Sequence, residues 1–150
     1  TQWIKSVKDA QQRSYFYPFK YQQRSTTTTS QEYSVVLRVE ELLLIRAEAS
    51  LRLQKTEQTL TDLNQIRARA NLDMLQTQSV ELLSAAVLNE RRHELFTEYG
   101  HRFVDLKRFD LIDQAMAVVK PQWRASYKVF PLPESEILLN SNLAPQNDGY

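Results

Sequence analysis

The sequence predicts a mainly α fold, built of antiparallel helix pairs with extended, loop-rich segments at its N- and C-terminal ends. Three observations predict it. The chain holds only two glycines, Gly100 and Gly149, where average usage of about 7% would give roughly ten. Residues 19–120 carry no proline and a single glycine, so neither ring clash nor excess backbone freedom interrupts a helix there. Apolar residues in that stretch recur at three- and four-residue steps, the period of one helix face.

The elements follow in order. Residues 1–34 read as an irregular aromatic and polar segment, with the run Tyr15-Phe16-Tyr17-Pro18-Phe19-Lys20-Tyr21 ahead of a Ser/Thr tract over 25–30 that predicts a flexible loop. From about Ser34, the residues Val35, Val39, Leu42, Leu43 and Ala47 mark a first helix. Leu44 and Ile45 widen its stripe until burial almost all round is expected. Thr56 is placed as the N-cap of a second helix, with Glu57 at the positive end of its dipole. Leu60, Leu63, Ile66 and Ala70 mark its face, and Asn71 suits a left-handed residue just past its end. A third helix is expected over about 79–99, stopped by Gly100, and a fourth over about 102–119, ended by Pro121.

Two such pairs resemble a helical repeat, although the pairs are spaced more widely than a tetratricopeptide unit of about 34 residues. The tail Tyr127-Lys128-Val129-Phe130-Pro131-Leu132-Pro133 reads as extended, and Glu134-Ser135-Glu136-Ile137 as one helical turn. The expected organisation is a single domain, with the irregular segment 1–34 followed by a helical region over 35–150. A start at Thr1, without methionine or an apolar signal core, reads as a piece of a longer chain.

Composition narrows the chemistry. Scarce glycine argues against phosphate-cradling loops and dinucleotide fingerprints, which need glycine at positive φ or at close backbone approach. With 19 basic and 18 acidic residues the net charge is +1, so no basic excess favours nucleic acid. Cysteine is absent, which excludes disulfides, thiol catalysis and Cys-ligated zinc. No apolar run reaches the ~18 residues a membrane span needs.

The most charged stretch runs over 89–108. Glu90, Glu94 and Glu98 recur every fourth residue and are expected on one helix face, roughly 5–6 Å apart at Cβ. That spacing admits a carboxylate-dependent glycoside hydrolase using Glu94 and Glu98. The structural alternative pairs these carboxylates with Arg91, Arg92, Arg102 and Arg108, and is preferred because catalytic carboxylates usually face each other across a cleft. His93-Glu94 begins a zinc-protease helix motif, but Thr97 stands where its second histidine belongs. His101 and Asp105 would meet His93 only if the chain bends, and no metal or cofactor is predicted. Trp3, Tyr15, Tyr17, Tyr21 and Trp123 offer flat faces for stacking on sugar rings, with Gln22, Gln23 and Arg24 as partners for sugar hydroxyls. The alternative is an extended segment packing alternate aromatics on the helices.

The order of several motifs resembles the C-terminal part of the SusD/RagB family. Arg38-Val39-Glu40-Glu41-Leu42-Leu43-Leu44-Ile45-Arg46-Ala47-Glu48-Ala49 resembles its Arg-x-x-Glu-x-Leu-Leu-x-x-Ala-Glu-Ala helix. Asp62-Leu63-Asn64-Gln65-Ile66-Arg67-Ala68-Arg69-Ala70-Asn71-Leu72 resembles Leu-Asn-x-Ile-Arg-x-Arg-Ala-Gly-Leu, with Asn71 replacing glycine. Glu90, Arg91 and Glu94 match Glu-Arg-x-x-Glu. Glu98, Gly100, Arg102, Asp105, Leu106 and Arg108 match Glu-Gly-x-Arg-x-x-Asp-Leu-x-Arg, with Tyr99 intervening before the glycine. Phe130-Pro131-Leu132-Pro133-Glu134-Ser135-Glu136-Ile137, then Asn140-Ser141-Asn142-Leu143, and finally Gln146-Asn147-Asp148-Gly149-Tyr150 resemble its closing signatures.

The resemblance spans 38–150 and implies a scaffold of tetratricopeptide-like helix pairs. It implies a protein that binds oligosaccharide or another nutrient without chemistry and passes it to a SusC-like TonB-dependent transporter. The location implied is the outer-membrane cell surface, held there by a lipid anchor absent from this sequence. Glu90, Arg91, Glu94, Glu98, Arg102, Asp105 and Arg108 become a structural motif, because a motif shared across different nutrients ties helices together. Ligand contact is assigned to Trp3, Tyr15, Tyr17, Tyr21 and Trp123. The competing reading is a helical scaffold that binds a protein partner and no sugar.

Overall fold

The computed structural model describes residues 3–23, 25, 28, 29, 32, 33 and 35–150. Their elements are β1 (Ile4–Lys8), β2 (Ser14–Pro18), α1 (Val39–Arg52), α2 (Thr56–Arg69), α3 (Val80–Glu94), α4 (His101–Arg108), α5 (Ile112–Val119) and α6 (Glu134–Leu139). Short 3-10 turns lie at Ala125–Lys128 and Ser141–Leu143. The fold is mainly helical, with tetratricopeptide-like helix packing, as the sequence predicts. The chain forms two compact units, Thr1–Arg102 and Phe103–Tyr150, and β1, β2 and the first three helices share the first.

The N-terminal segment is not irregular throughout. β1 and β2 pair antiparallel, with Lys5 opposite Tyr17 and Val7 opposite Tyr15. β-Branched and aromatic side chains suit a pleated surface. The turn is fastened by Asp9, whose carboxylate accepts the Gln11 and Arg13 N–H groups at 2.9 Å and the Arg13 guanidinium at 2.7 Å. Gln12 supplies the left-handed residue at φ 63°. Parts of the 25–30 tract, the Arg24 side chain and the expected helix start at Ser34 lie outside the described residues.

The first unit's core lies where α1, α2 and α3 meet in pairs. Each contributes a leucine with no solvent exposure: Leu44, Leu63 and Leu83. Helix α1 is not buried all round, since Val39, Leu42 and Ile45 are exposed while Leu44, Ala47 and Leu51 face the core. Only one side of α1 is covered by α2 and α3.

Three helices end alike. After α1, Gln54 stands at φ 59°, with its N–H bonded to Leu51 O at 2.9 Å and Lys55 N–H to Ser50 O at 2.8 Å. After α2, Asn71 stands at φ 56°, with bonds to Ala68 O and from Leu72 N to Arg67 O. Asp110 repeats the pattern after α4 at φ 55°. These are Schellman closures, usually made by glycine, and only the Asn71 one follows from the sequence pattern. A non-glycine residue in the left-handed region costs roughly 1–2 kcal/mol. Replacing Gln54 by glycine is therefore expected to stabilise the chain by about 1 kcal/mol and raise Tm by roughly 2–4 °C in calorimetry. An unchanged or lowered Tm would show that the Gln54 side chain offsets its own backbone cost.

Four helix limits differ from expectation, the first being that α1 begins at Val39 and not near Ser34. Thr56 is the first residue of α2 and not its cap; the residue before it is Lys55, and the Thr56 hydroxyl donates to Gln78 at 2.6 Å. The third helix stops at Glu94, because Thr97, Tyr99 and Gly100 all take positive φ (61°, 42° and 70°) and turn the chain. The fourth is interrupted by Asp110 and becomes α4 and α5. Ser79 does cap α3, accepting the Leu82 N–H at 3.2 Å. α5 ends before Pro121, whose ring forces the preceding Lys120 out of the helical region to φ −134°, ψ 92°.

Candidate functional site

Two constellations contain the residues singled out from the sequence. The first is an ion cluster in the Thr1–Arg102 unit. Arg38, just ahead of α1, sends Nη1 to Glu94 Oε1 at 2.5 Å and Nη2 to Glu98 Oε2 at 2.9 Å and to the Glu94 carbonyl at 2.6 Å. Arg69 of α2 reaches Glu94 from another side at 2.8 Å, and Arg67 pairs with Glu90. Lys20 binds Glu98 at 2.9 Å and the Glu94 carbonyl at 2.8 Å, and Tyr21 donates its hydroxyl to Glu98 at 3.2 Å.

Glu90, Arg91, Glu94 and Glu98 are buried, as is Asp105, which pairs with Arg108 at 2.7 Å. Glu98 is not on the helix face of Glu90 and Glu94 but in the turn after α3. Glu90, Glu94 and Glu98 have cationic partners from outside the 89–108 stretch. These partners come from the α1 and α2 motifs and from Lys20, which binds the N-terminal segment to the helices.

Burial pushes the Glu98 carboxyl up, but Lys20 and Arg38 outweigh it and hold the group below its ordinary value. Burial and the adjacent Glu98 push the Tyr21 hydroxyl up. A glycosidase acid needs the opposite, a carboxyl kept protonated near neutral pH. Glu94 and Glu98 are each held by two cations, so the cluster joins Lys20, the segment ahead of α1, α2 and the turn after α3. His101 faces Glu41 at 3.5 Å.

Four of the assigned aromatics, Trp3, Tyr15, Tyr17 and Tyr21, belong to the Thr1–Arg102 unit. Tyr15 and Tyr17 share a face of the hairpin, opposite Val7 and Lys5. The Tyr15 hydroxyl is turned to Asp9 at 3.2 Å, and Tyr17 meets Phe19 edge-on at 6.3 Å. Trp3 lies under the Lys20 ammonium at 4.3 Å, and Tyr21 belongs to the ion cluster. These four therefore have structural partners inside their own unit.

Trp123 differs. In the Phe103–Tyr150 unit it lines a groove of about 710 Å³ together with Phe103, Tyr127, Phe130 and Tyr150. That volume is within the usual range for small-molecule sites.

The sequence builds the groove locally. Pro121 ends α5 and opens a turn closed by the Trp123 N–H on Lys120 O at 2.9 Å. The indole N–H then donates to Asp113 at 2.9 Å, which fixes the ring, and Tyr127 packs edge-on against it at 5.8 Å. Lys128 and the indole together hold the Asp113 carboxyl below its ordinary value.

The closing signature completes the wall. Gln146 brackets Leu132 through both amide atoms, at 2.7 and 2.8 Å, and Asn147 donates to Phe130 O at 2.7 Å. Gly149 takes φ +93° with Ser126 so near that a Cβ would lie 2.5 Å from its hydroxyl. This lets Tyr150 reach Val129 O at 3.0 Å and stack obliquely on Tyr127 at 6.3 Å. Phe103, Tyr127, Phe130, Tyr150, Lys120 and Gln122 are groove residues that sequence reasoning missed. The available signal was the closing motif, which reads as a terminus and is a clamp on residues 130–132.

The chain matches the SusD family over residues 4–150. It is 29% identical over 130 residues to SusD-like protein P2 of Formosa agariphila, covering 77% of this chain and 26% of that protein. It is similar to the crystal structure of a SusD superfamily protein from Bacteroides vulgatus, with a TM-score of 0.65 and 28% identity, covering 76% of this chain and 27% of that one. The chain thus spans about a quarter of the length of these relatives. The match reaches the hairpin as well as the helices whose Arg38, Arg67, Glu94 and Glu98 interlock, and on these grounds the chain belongs to the SusD family.

Proposed function

We propose that this chain is part of a cell-surface protein that captures oligosaccharide and delivers it to a SusC-like TonB-dependent transporter without chemical change. Membership of the SusD family supports nutrient capture in general, and the aromatic groove around Trp123 is the observation that carries the reading to particular residues. Flat rings suit the C–H faces of pyranoses, and the polar groups of Gln122 and Lys120 lie beside them. The outer-membrane surface, through a lipid anchor on the longer protein, is the location that fits this role. Among the described residues no helix is long and apolar enough to cross a membrane.

Of the five aromatics assigned from the sequence, Trp123 is proposed as the ligand contact, and Trp3, Tyr15, Tyr17 and Tyr21 as supports of the N-terminal unit. Glu90, Arg91, Glu94, Glu98, Arg102, Asp105 and Arg108 are proposed as structural. The test is calorimetry with a panel of neutral oligosaccharides. Trp123→Ala is expected to weaken binding about tenfold or more, near 1.4 kcal/mol, while Tyr17→Ala leaves it unchanged. Equal affinity of the wild type and a folded Trp123→Ala variant would remove the groove from the proposal.

A further inference from the structure

We propose that the groove around Trp123 is selective for a sugar ring bearing an anionic group, an inference that rests on reading the groove as a glycan site. Among the described residues that line it, Lys120 is the one with a charged side chain. The nearby Lys128 is already committed to Asp113 at 2.7 Å, and Asp113 is further occupied by the Trp123 indole. Among the described residues the Lys120 ammonium has neither an ion-pair nor a hydrogen-bond partner.

Lys120 is exposed, and a neutral ring stacked on Trp123 and Tyr127 leaves its ammonium to water. A carboxylate or sulfate on the same ring gives it a charge-assisted bond. The backbone holds Lys120 where this can happen, because Pro121 fixes it in the extended region and Trp123 N–H closes the turn onto its carbonyl. Aromatic faces set the ring, and the cation chooses its substituent.

The test uses pairs differing only in charge: oligogalacturonate, oligoglucuronate and oligomannuronate, each beside its methyl ester. The wild-type chain is expected to bind at least one acid about fivefold more tightly than its ester, a gap that narrows with added salt. Lys120→Gln should abolish the gap while leaving Tm unchanged. Esters that bind as well as their acids would overturn the charge selectivity and leave the groove reading standing. A preference that survives Lys120→Gln would overturn the role of Lys120. No binding by any acid would also overturn the inference, and the neutral panel with Trp123→Ala would then decide the groove reading by itself.

Discussion

Replacing Arg38 by methionine is expected to destabilise the chain by about 3–5 kcal/mol, the usual consequence of removing one partner from a buried ion pair. The guanidinium is 16% exposed and bridges two carboxylates that are themselves only 9% and 4% exposed. Methionine keeps much of the volume but leaves Glu94 with Arg69, and Glu98 with Lys20 and the Tyr21 hydroxyl. Thermal and denaturant unfolding measure the loss, and a double-mutant cycle with Glu98→Gln isolates the shared part. A coupling near zero in that cycle, or a loss below about 1 kcal/mol, would show that Arg69 and Lys20 suffice.

The cluster also sets the acid side of stability. The Glu98 carboxyl is lowered in the folded state by Lys20 and Arg38 against the opposing effect of burial. Its contribution is therefore complete above the ordinary glutamate value and is lost as pH falls through the lowered one. The Arg38→Met variant should show a flatter decline across that acid window.

The second large effect is expected at Leu63. This side chain has no solvent exposure and sits where α2 meets α1 and α3. Leu63→Ala should cost about 2–5 kcal/mol, combining lost transfer energy with the cavity left behind. Leu42→Ala, on the exposed side of α1 at 57% exposure, should cost under about 0.5 kcal/mol in the same chain. Similar losses at the two positions would mean that the outer side of α1 is covered in solution. Both residues belong to apolar faces repeating at three- and four-residue steps, and periodicity alone does not separate them.

Much of the helical plan was legible because its signals are local. Ser79 caps α3 through a bond spanning three residues, Asn71 closes α2, and Pro121 restricts its neighbour. Each acts within one helical turn, so residue type and spacing suffice. Gly100 announces a stop, but the earlier end at Glu94 and the break at 110 were not legible, because Thr97, Tyr99 and Asp110 adopt left-handed conformations that glycine would ordinarily announce. Local propensity favoured a continuous helix through 110. The N-terminal hairpin was missed for a related reason: its turn is held by the Asp9 carboxylate and Gln12, without the usual glycine.

The candidate site was legible only at Trp123. In the aromatic run at 15–21, Tyr15 meets Asp9, Tyr17 meets Phe19 and Tyr21 meets Glu98, partners that density of aromatics does not reveal. The groove instead gathers Phe103, Trp123, Tyr127, Phe130 and Tyr150, which stand apart in sequence and are joined by the Gln146 and Asn147 clamps.

The sequence by itself determined a helical chain, its closure at Asn71 and its stop before Pro121, and the succession of motifs that places it in the SusD family. It did so because capping, periodicity and motif order depend on neighbours within a few residues or on simple succession. Only the tertiary structure decided which cation meets which carboxylate, which side of α1 is buried, and where aromatic rings converge. Arg38 and Glu94 are 56 residues apart, and Leu132 and Gln146 are 14 apart. A pairing over such distances is chosen by how packed helices and clamped loops bring the partners together, and no local pattern records it.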